Sequence, residues 1–174
     1  MNIVAGQELY AKLQADGVAG ILATFISDEP ETMITRIKNL VRLRAADPLA
    51  QKIIWGIHIE GPFMSAEIGY RGAHPVAVMQ QVNMEIIERF HDLSEGLLRI
   101  LTLSPEQDPQ VRATTWLNKR KVSVSGGHSN ATMDQLKGGI DAGMTMGTHL
   151  GNGCPAQMHR HENIIQRVLS VADR

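Results

Sequence analysis

The sequence has a single cysteine, Cys154, among its 174 residues. That excludes a disulfide framework within the chain, and a lone thiol suits a reducing compartment. It also lacks an excess of either charge. Its 17 basic and 18 acidic residues are interspersed and give a formal net charge of −1. With no basic or acidic face there is no electrostatic case for a nucleic acid or an anionic membrane. No apolar run approaches the ~20 residues of a membrane span. The opening "MNIVAGQELYAK" has no basic region followed by an apolar stretch, as a secretory signal would require. Low-complexity tracts and composition shifts are missing too, so residues 1–174 are expected to form a single domain with a real core. These absences predict a soluble cytoplasmic protein with neither a nucleic-acid nor a membrane partner.

What is present is an alternation. Residues 5–17 read as a helix ending at Gly17, and "VAGILATF" as a strand. "PETMITRIKNLVRLRAA" places apolar residues near helical spacing, and residues 53–60 form a β-branched run typical of a strand buried on both faces. After an irregular connection, a helix is expected over residues 75–93, opened by Pro75 at a favoured first-turn position. Next come a strand at "LLRILTL", a helix at "PQVRATTWLNKR", a strand at "KVSVS", a helix at "TMDQLKGGIDAG", a short strand at "MTMG" and a last helix at "ENIIQRVLSVAD". Alternating strands and helices mean a parallel sheet with crossover helices, in an α/β fold. Five strands fit either a doubly wound sheet or part of a (β/α)8 barrel, for which 174 residues are short of the usual ~250. In both, chemistry belongs at the C-terminal ends of the strands.

That rule selects three residues. Glu60 ends the second strand, His128 comes after the fourth in "SGGHSNAT", and His149 after the fifth in "GTHLGNG". His58 and Glu60 share one side of their strand, because side chains alternate. Any one of these residues alone could be a capping or turn residue. Together, two imidazoles and a carboxylate can hold a zinc ion with a fourth position open for water, as in hydrolytic sites. Eight of the 16 glycines lie between Gly126 and Gly153, so the backbone around both histidines can turn tightly and approach other groups closely.

The motifs "GIHIEGPF", "GAH", "LSPE", "SGGHSNAT" and "GTHLGNG", with "HRHEN" beyond them, resemble in order and spacing the N-acetylglucosamine-6-phosphate deacetylases of the amidohydrolase superfamily. The resemblance runs over essentially the whole chain and implies a metal-dependent (β/α)8 TIM-type barrel. It makes Glu60, His128 and His149 the ligands of one divalent metal ion, zinc by preference. It makes His74 a residue that polarises the acetamide carbonyl or holds the sugar, with Ala73 contributing its backbone. Asn152, Gly153 and Arg160 match the residues that cradle the phosphate. Exposed N–H groups in a glycine turn and a planar guanidinium suit that anion. The partner implied is a small amino-sugar phosphate, with a homo-oligomer left open.

The chain also departs from that pattern. The general-base aspartate of the family, in a "TDA"-like motif, has no counterpart, since Asp134, Asp141 and Asp173 are misplaced for it. The first barrel strand, a later "DGxH" histidine and the flanking β-sandwich segments are missing as well. The expectation is an incomplete barrel of about five of eight units, a central fragment. Its ancestral reaction is hydrolysis of the N-acetyl group of N-acetylglucosamine 6-phosphate. The alternatives are a non-catalytic metal- or sugar-phosphate-binding remnant and an amidohydrolase acting on another amide. Cys154 has no evident activating helix, "GGHSN" is not a nucleophile elbow, and Glu106 reads either as an acceptor behind the site or as a helix-start charge.

Overall fold

The structure is a computed structural model that describes residues 3–173. Five parallel strands form one sheet: β1 (Ile21–Ile26), β2 (Ile54–Glu60), β3 (Leu98–Leu103), β4 (Ser123–Gly126) and β5 (Met144–Gly147). Their spatial order is their chain order. A doubly wound sheet reverses direction at a switch point. This sheet does not, so the uniform progression of a TIM-type barrel is what the chain adopts.

The helices between the strands are amphipathic in the way that progression demands. Helix α1 (Ile3–Ala15) precedes β1, and α2 (Pro30–Ala46) buries Met33, Ile34 and Ile37. Helix α4 (Met84–Leu93) buries Ile87 and Phe90, α5 (Arg112–Lys119) buries Ala113 and Leu117, and α6 (Met133–Asp141) buries Leu136. They pack on Ile57, Ile59, Leu101, Leu103 and Val124, alternate residues of the strands, in one apolar core. The intervening residues of the strands face the opposite side, and several of them are polar.

The elements differ from expectation in definite places. Asp47 accepts from the backbone N–H groups of Leu49 and Ala50 and so starts an extra helix, α3 (Pro48–Ile53). Ile53 thus ends a helix, and the strand starts one residue later. The helix expected from Pro75 begins only at Met84, where Asn83 accepts from the N–H groups of Glu85 and Ile86. Pro75 precedes only a 3-10 turn over Val76–Val78. Proline fits a helix start but does nothing to extend the helix, and the asparagine that caps two N–H groups set the boundary instead. The last helix, α7, shrinks to Ile164–Leu169 behind an Asn163 cap. Among the described residues, no helix is long and apolar enough to cross a membrane.

Candidate metal centre

Glu60 is the last residue of β2, and Gly61 comes next with φ +91°. His128 stands two residues past β4, and His149 two residues past β5. The two histidines have φ of 50° and 30°, a region that non-glycine residues seldom occupy, at a cost of about 1–3 kcal/mol each. Surrounding bonds hold them there. The His128 carbonyl accepts from the Ser65 N–H at 3.1 Å and the Ser104 hydroxyl at 2.7 Å, and the His149 carbonyl accepts from the Asn152 N–H at 2.8 Å.

The three side chains converge. Glu60 Oε1 lies 3.2 Å from His128 Nε2 and 3.1 Å from His149 Nε2, and the two ring nitrogens are 3.1 Å apart. Protonation states explain why this geometry suits a cation. The Tyr70 carbonyl can only accept, so His128 donates Nδ1–H to it at 2.9 Å. A neutral His128 then turns the Nε2 lone pair toward an ionised carboxylate oxygen. Two lone pairs face one another unless a positive charge lies between them. One proton can serve a single contact of the triangle, whereas one metal ion serves all three corners. Tetrahedral coordination at about 2.0–2.1 Å separates donor atoms by about 3.3–3.4 Å, close to the distances observed. An imidazole whose other nitrogen donates to a backbone carbonyl is also the usual orientation of a metal-bound histidine. Among the described residues this trio is the one group of three or more such side chains able to hold a metal ion. Glu60 and His128 are buried, while the His149 side chain is 35% exposed, so the open side of the cluster lies beside His149.

Without an ion, only a proton on a ring Nε2 can meet that carboxylate. Such hydrogen bonds, from His128 first and then His149, hold the Glu60 carboxyl down at about 2 against the opposing effect of burial. His74 is buried next to them, its ring centroid 4.4 Å from that of His128 and its Nε2 4.0 Å from Glu60 Oε1. Desolvation lowers its pKa, so it is neutral at pH 7. Ser27 Oγ lies 2.8 Å from His74 Nδ1 and donates to the Glu60 carbonyl at 3.3 Å. In that arrangement His74 gives its Nδ1 proton to Ser27 and presents a lone pair at Nε2.

Beneath the trio runs a polar layer that no sequence motif announced. Thr24 Oγ1 lies 3.2 Å from His58 Nδ1, and His58 Nε2 lies 2.8 Å from Thr102 Oγ1. Thr102 meets Thr148, and Thr148 meets Ser125, at 2.8 and 2.7 Å. His58 is therefore a satisfied histidine that ties β2 to its neighbours. Thr102 and Ser125 hold matching positions in the sheet register, beside Glu60.

Of the other candidates, Gly153 is buried against His128, where an added Cβ would lie 3.1 Å from Nδ1. Ala73 and Asn152 are exposed beside the site. Arg160 is exposed on the chain before α7 and makes no hydrogen bond or ion pair with described residues. Asp134 and Asp141 lie on α6 and do not join the trio.

Gly61 is the hinge of this arrangement. A Cβ there would lie 1.9 Å from Ser27 Oγ, at a φ that L-residues rarely adopt. Gly61→Ala is expected to destabilise the protein by about 2–3 kcal/mol, lowering the thermal midpoint by roughly 4–12 °C. An unchanged midpoint would mean that Ser27 moves aside freely and does not brace Glu60.

No family profile matches the chain. An N-acetylglucosamine-6-phosphate deacetylase of Lysinibacillus sphaericus is 36% identical over 118 residues, 68% of this chain and 30% of that protein. An N-acetylgalactosamine-6-phosphate deacetylase of Escherichia coli O157:H7 is 28% identical over 151 residues, 86% of this chain and 39% of that protein. Among solved structures, a mutant N-acetyl-D-glucosamine-6-phosphate deacetylase from Mycobacterium smegmatis, in complex with N-acetyl-D-glucosamine-6-phosphate, is 34% identical with a TM-score of 0.75. That match covers 87% of this chain and 38% of the other. The chain thus spans less than half the length of the relatives it matches. A likeness that holds in sequence and in three dimensions over most of its residues makes this chain a member of the N-acetylglucosamine-6-phosphate deacetylase family.

Proposed function

We propose that the chain carries the metal side and part of the phosphate side of a site that hydrolyses the N-acetyl group of an amino-sugar 6-phosphate. The observation that carries this is the trio, in which a fixed His128 tautomer turns a lone pair toward Glu60 at 3.2 Å. A donor set of two imidazoles and one carboxylate in near-tetrahedral array suits zinc. Glu60, His128 and His149 would hold the ion, which when bound activates water and polarises a carbonyl. A single unpaired cysteine agrees with a cytoplasmic setting.

The chain's own groups do the remaining work. His74 stands beside the trio, where the acetamide would lie. To donate to a carbonyl it needs Nε2–H, the tautomer in which Ser27 turns its hydroxyl proton to Nδ1. That switch requires Nδ1 to release its proton and Nε2 to take one up, with the Ser27 hydroxyl rotating from the Glu60 carbonyl to Nδ1. Asn152 and Gly153 lie in the turn after His149, Ala73 precedes His74, and Arg160 has no partner among the described residues. Such a guanidinium is free for a charge-assisted phosphate contact. N-acetylglucosamine 6-phosphate is the substrate this reading favours. The galactosamine epimer is a second reading, favoured by the relative that bears its name.

Calorimetry tests the phosphate half. Losing the Arg160 contact costs ~1.5–3 kcal/mol, so Arg160→Ala is expected to weaken the sugar phosphate roughly 10–100-fold, leaving metal content unchanged. Binding of unphosphorylated N-acetylglucosamine should hardly move. Equal affinity of the wild type for the two ligands would remove phosphate recognition and the substrate assignment with it.

A further inference from the structure

The loop that presents His128 is clamped from both sides by groups with no part in holding a metal. Glu106, in the 3-10 turn Pro105–Gln107 just past β3, accepts from the Ser129 hydroxyl at 2.6 Å through one carboxylate oxygen. Through the other it accepts from the Asn130 N–H at 2.9 Å. From the other side Arg167, on α7, donates through one nitrogen to the Asn130 carbonyl, the Asn130 side-chain oxygen and the Ala131 carbonyl, at 3.3, 3.2 and 2.7 Å. Its remaining nitrogens pair with Glu162. Asn130 Nδ2 donates to Glu67 at 3.2 Å. Every polar group of Asn130 is thereby engaged, and Ser129 Oγ also accepts from the Ala131 N–H. The residue immediately before this bonded pair is His128, held at φ 50°.

We infer that Glu106 is a positioning residue for His128. Its two carboxylate oxygens fix Ser129 and Asn130, and through them hold the imidazole in the left-handed backbone conformation that points Nε2 at Glu60. Arg167 closes the clamp from α7. The inference rests on the metal reading of the trio. A backbone that relaxes away from φ 50° swings the ring out of the triangle, so losing the clamp costs ligand geometry while the apolar core stays intact. The core helices and strands do not depend on it. The Glu106 carboxylate bonds to that loop, and of the buried apolar residues packed between sheet and helices only Ala131 lies there.

The test measures zinc affinity and the visible spectrum of the cobalt-loaded protein, with the thermal midpoint of metal-free protein as the control. Glu106→Ala removes both acceptors and is expected to weaken zinc about 10–100-fold, the usual cost of losing a group behind a ligand. The cobalt spectrum should shift, and the metal-free midpoint should move little. Glu106→Gln keeps one acceptor for Asn130 and should recover most of the affinity, while Ser129→Ala should cost an intermediate amount. Wild-type affinity and an unchanged cobalt spectrum in Glu106→Ala would overturn the inference. Should that variant not fold, the same result in Glu106→Gln and Ser129→Ala together overturns it. If the wild type binds neither metal, the reading of the trio itself is what has failed.

Discussion

A protein with both His128 and His149 replaced by alanine is expected to lose its metal altogether, while wild type retains about one divalent ion per chain after dialysis. The double substitution leaves only Glu60 of the three converging donors, and a lone carboxylate with water ligands does not compete for zinc against a chelator. Each single alanine variant should lose more than the roughly 10–100-fold that removal of an outer partner costs. Elemental analysis and chelator competition measure both. Full metal content in the double variant would dismiss the trio. The pH dependence has a definite sign. Bound imidazoles must be neutral, so metal affinity falls as pH falls and protons compete for the two rings. Glu60 contributes nothing to that loss between about pH 7 and 4. Its neighbours hold its pKa at about 2, mainly through His128, and it stays ionised throughout that range. A loss that instead tracks titration of a carboxylate near its ordinary value would contradict the geometry around Glu60.

The second large effect concerns turnover. With N-acetylglucosamine 6-phosphate and zinc supplied, the 174-residue polypeptide should release acetate about 10²–10⁴-fold more slowly than full-length relatives. That range is what a positioned acid or base usually contributes. The physical ground is the inventory around the trio. The carbonyl-polarising role proposed for His74 needs a proton on its Nε2, which leaves that ring no lone pair to act as base, and Asp134 and Asp141 lie away on α6. No described aspartate joins the cluster. Acetate release by a coupled assay, with His128→Ala as the blank, reads the rate directly. A rate equal to that of the full-length relatives would show that one of the described residues serves as the base, with His74 the first to mutate.

The strands, their parallel direction and the positions of the three converging side chains were legible in the sequence because each rests on local chemistry. β-branched runs between helical periods give the α/β alternation, and residues at strand ends share one rim whatever the details of packing. Glu60 could be picked out because a carboxylate ending a buried strand needs a partner. His128 and His149 came from the same rule applied to the next strands. Pro75 misled because a favoured helix-start residue cannot reveal that the chain is irregular up to Asn83.

What only the tertiary structure decided is which groups meet across the sheet. The uniform strand order excluded a doubly wound sheet, a choice that alternation leaves open. Ser27 beside His74 and the Thr24–His58–Thr102–Thr148–Ser125 layer are pairings between residues 23 to 47 positions apart. The Glu106–Arg167 clamp behind His128 is likewise assembled from distant segments. No local pattern encodes such partners, because a hydroxyl or carboxylate is equally compatible with solvent. The tautomer that turns His128's lone pair toward Glu60 depends on a single carbonyl, that of Tyr70, 58 residues away. Residue types determined that a metal could be held, and packing determined where each proton sits.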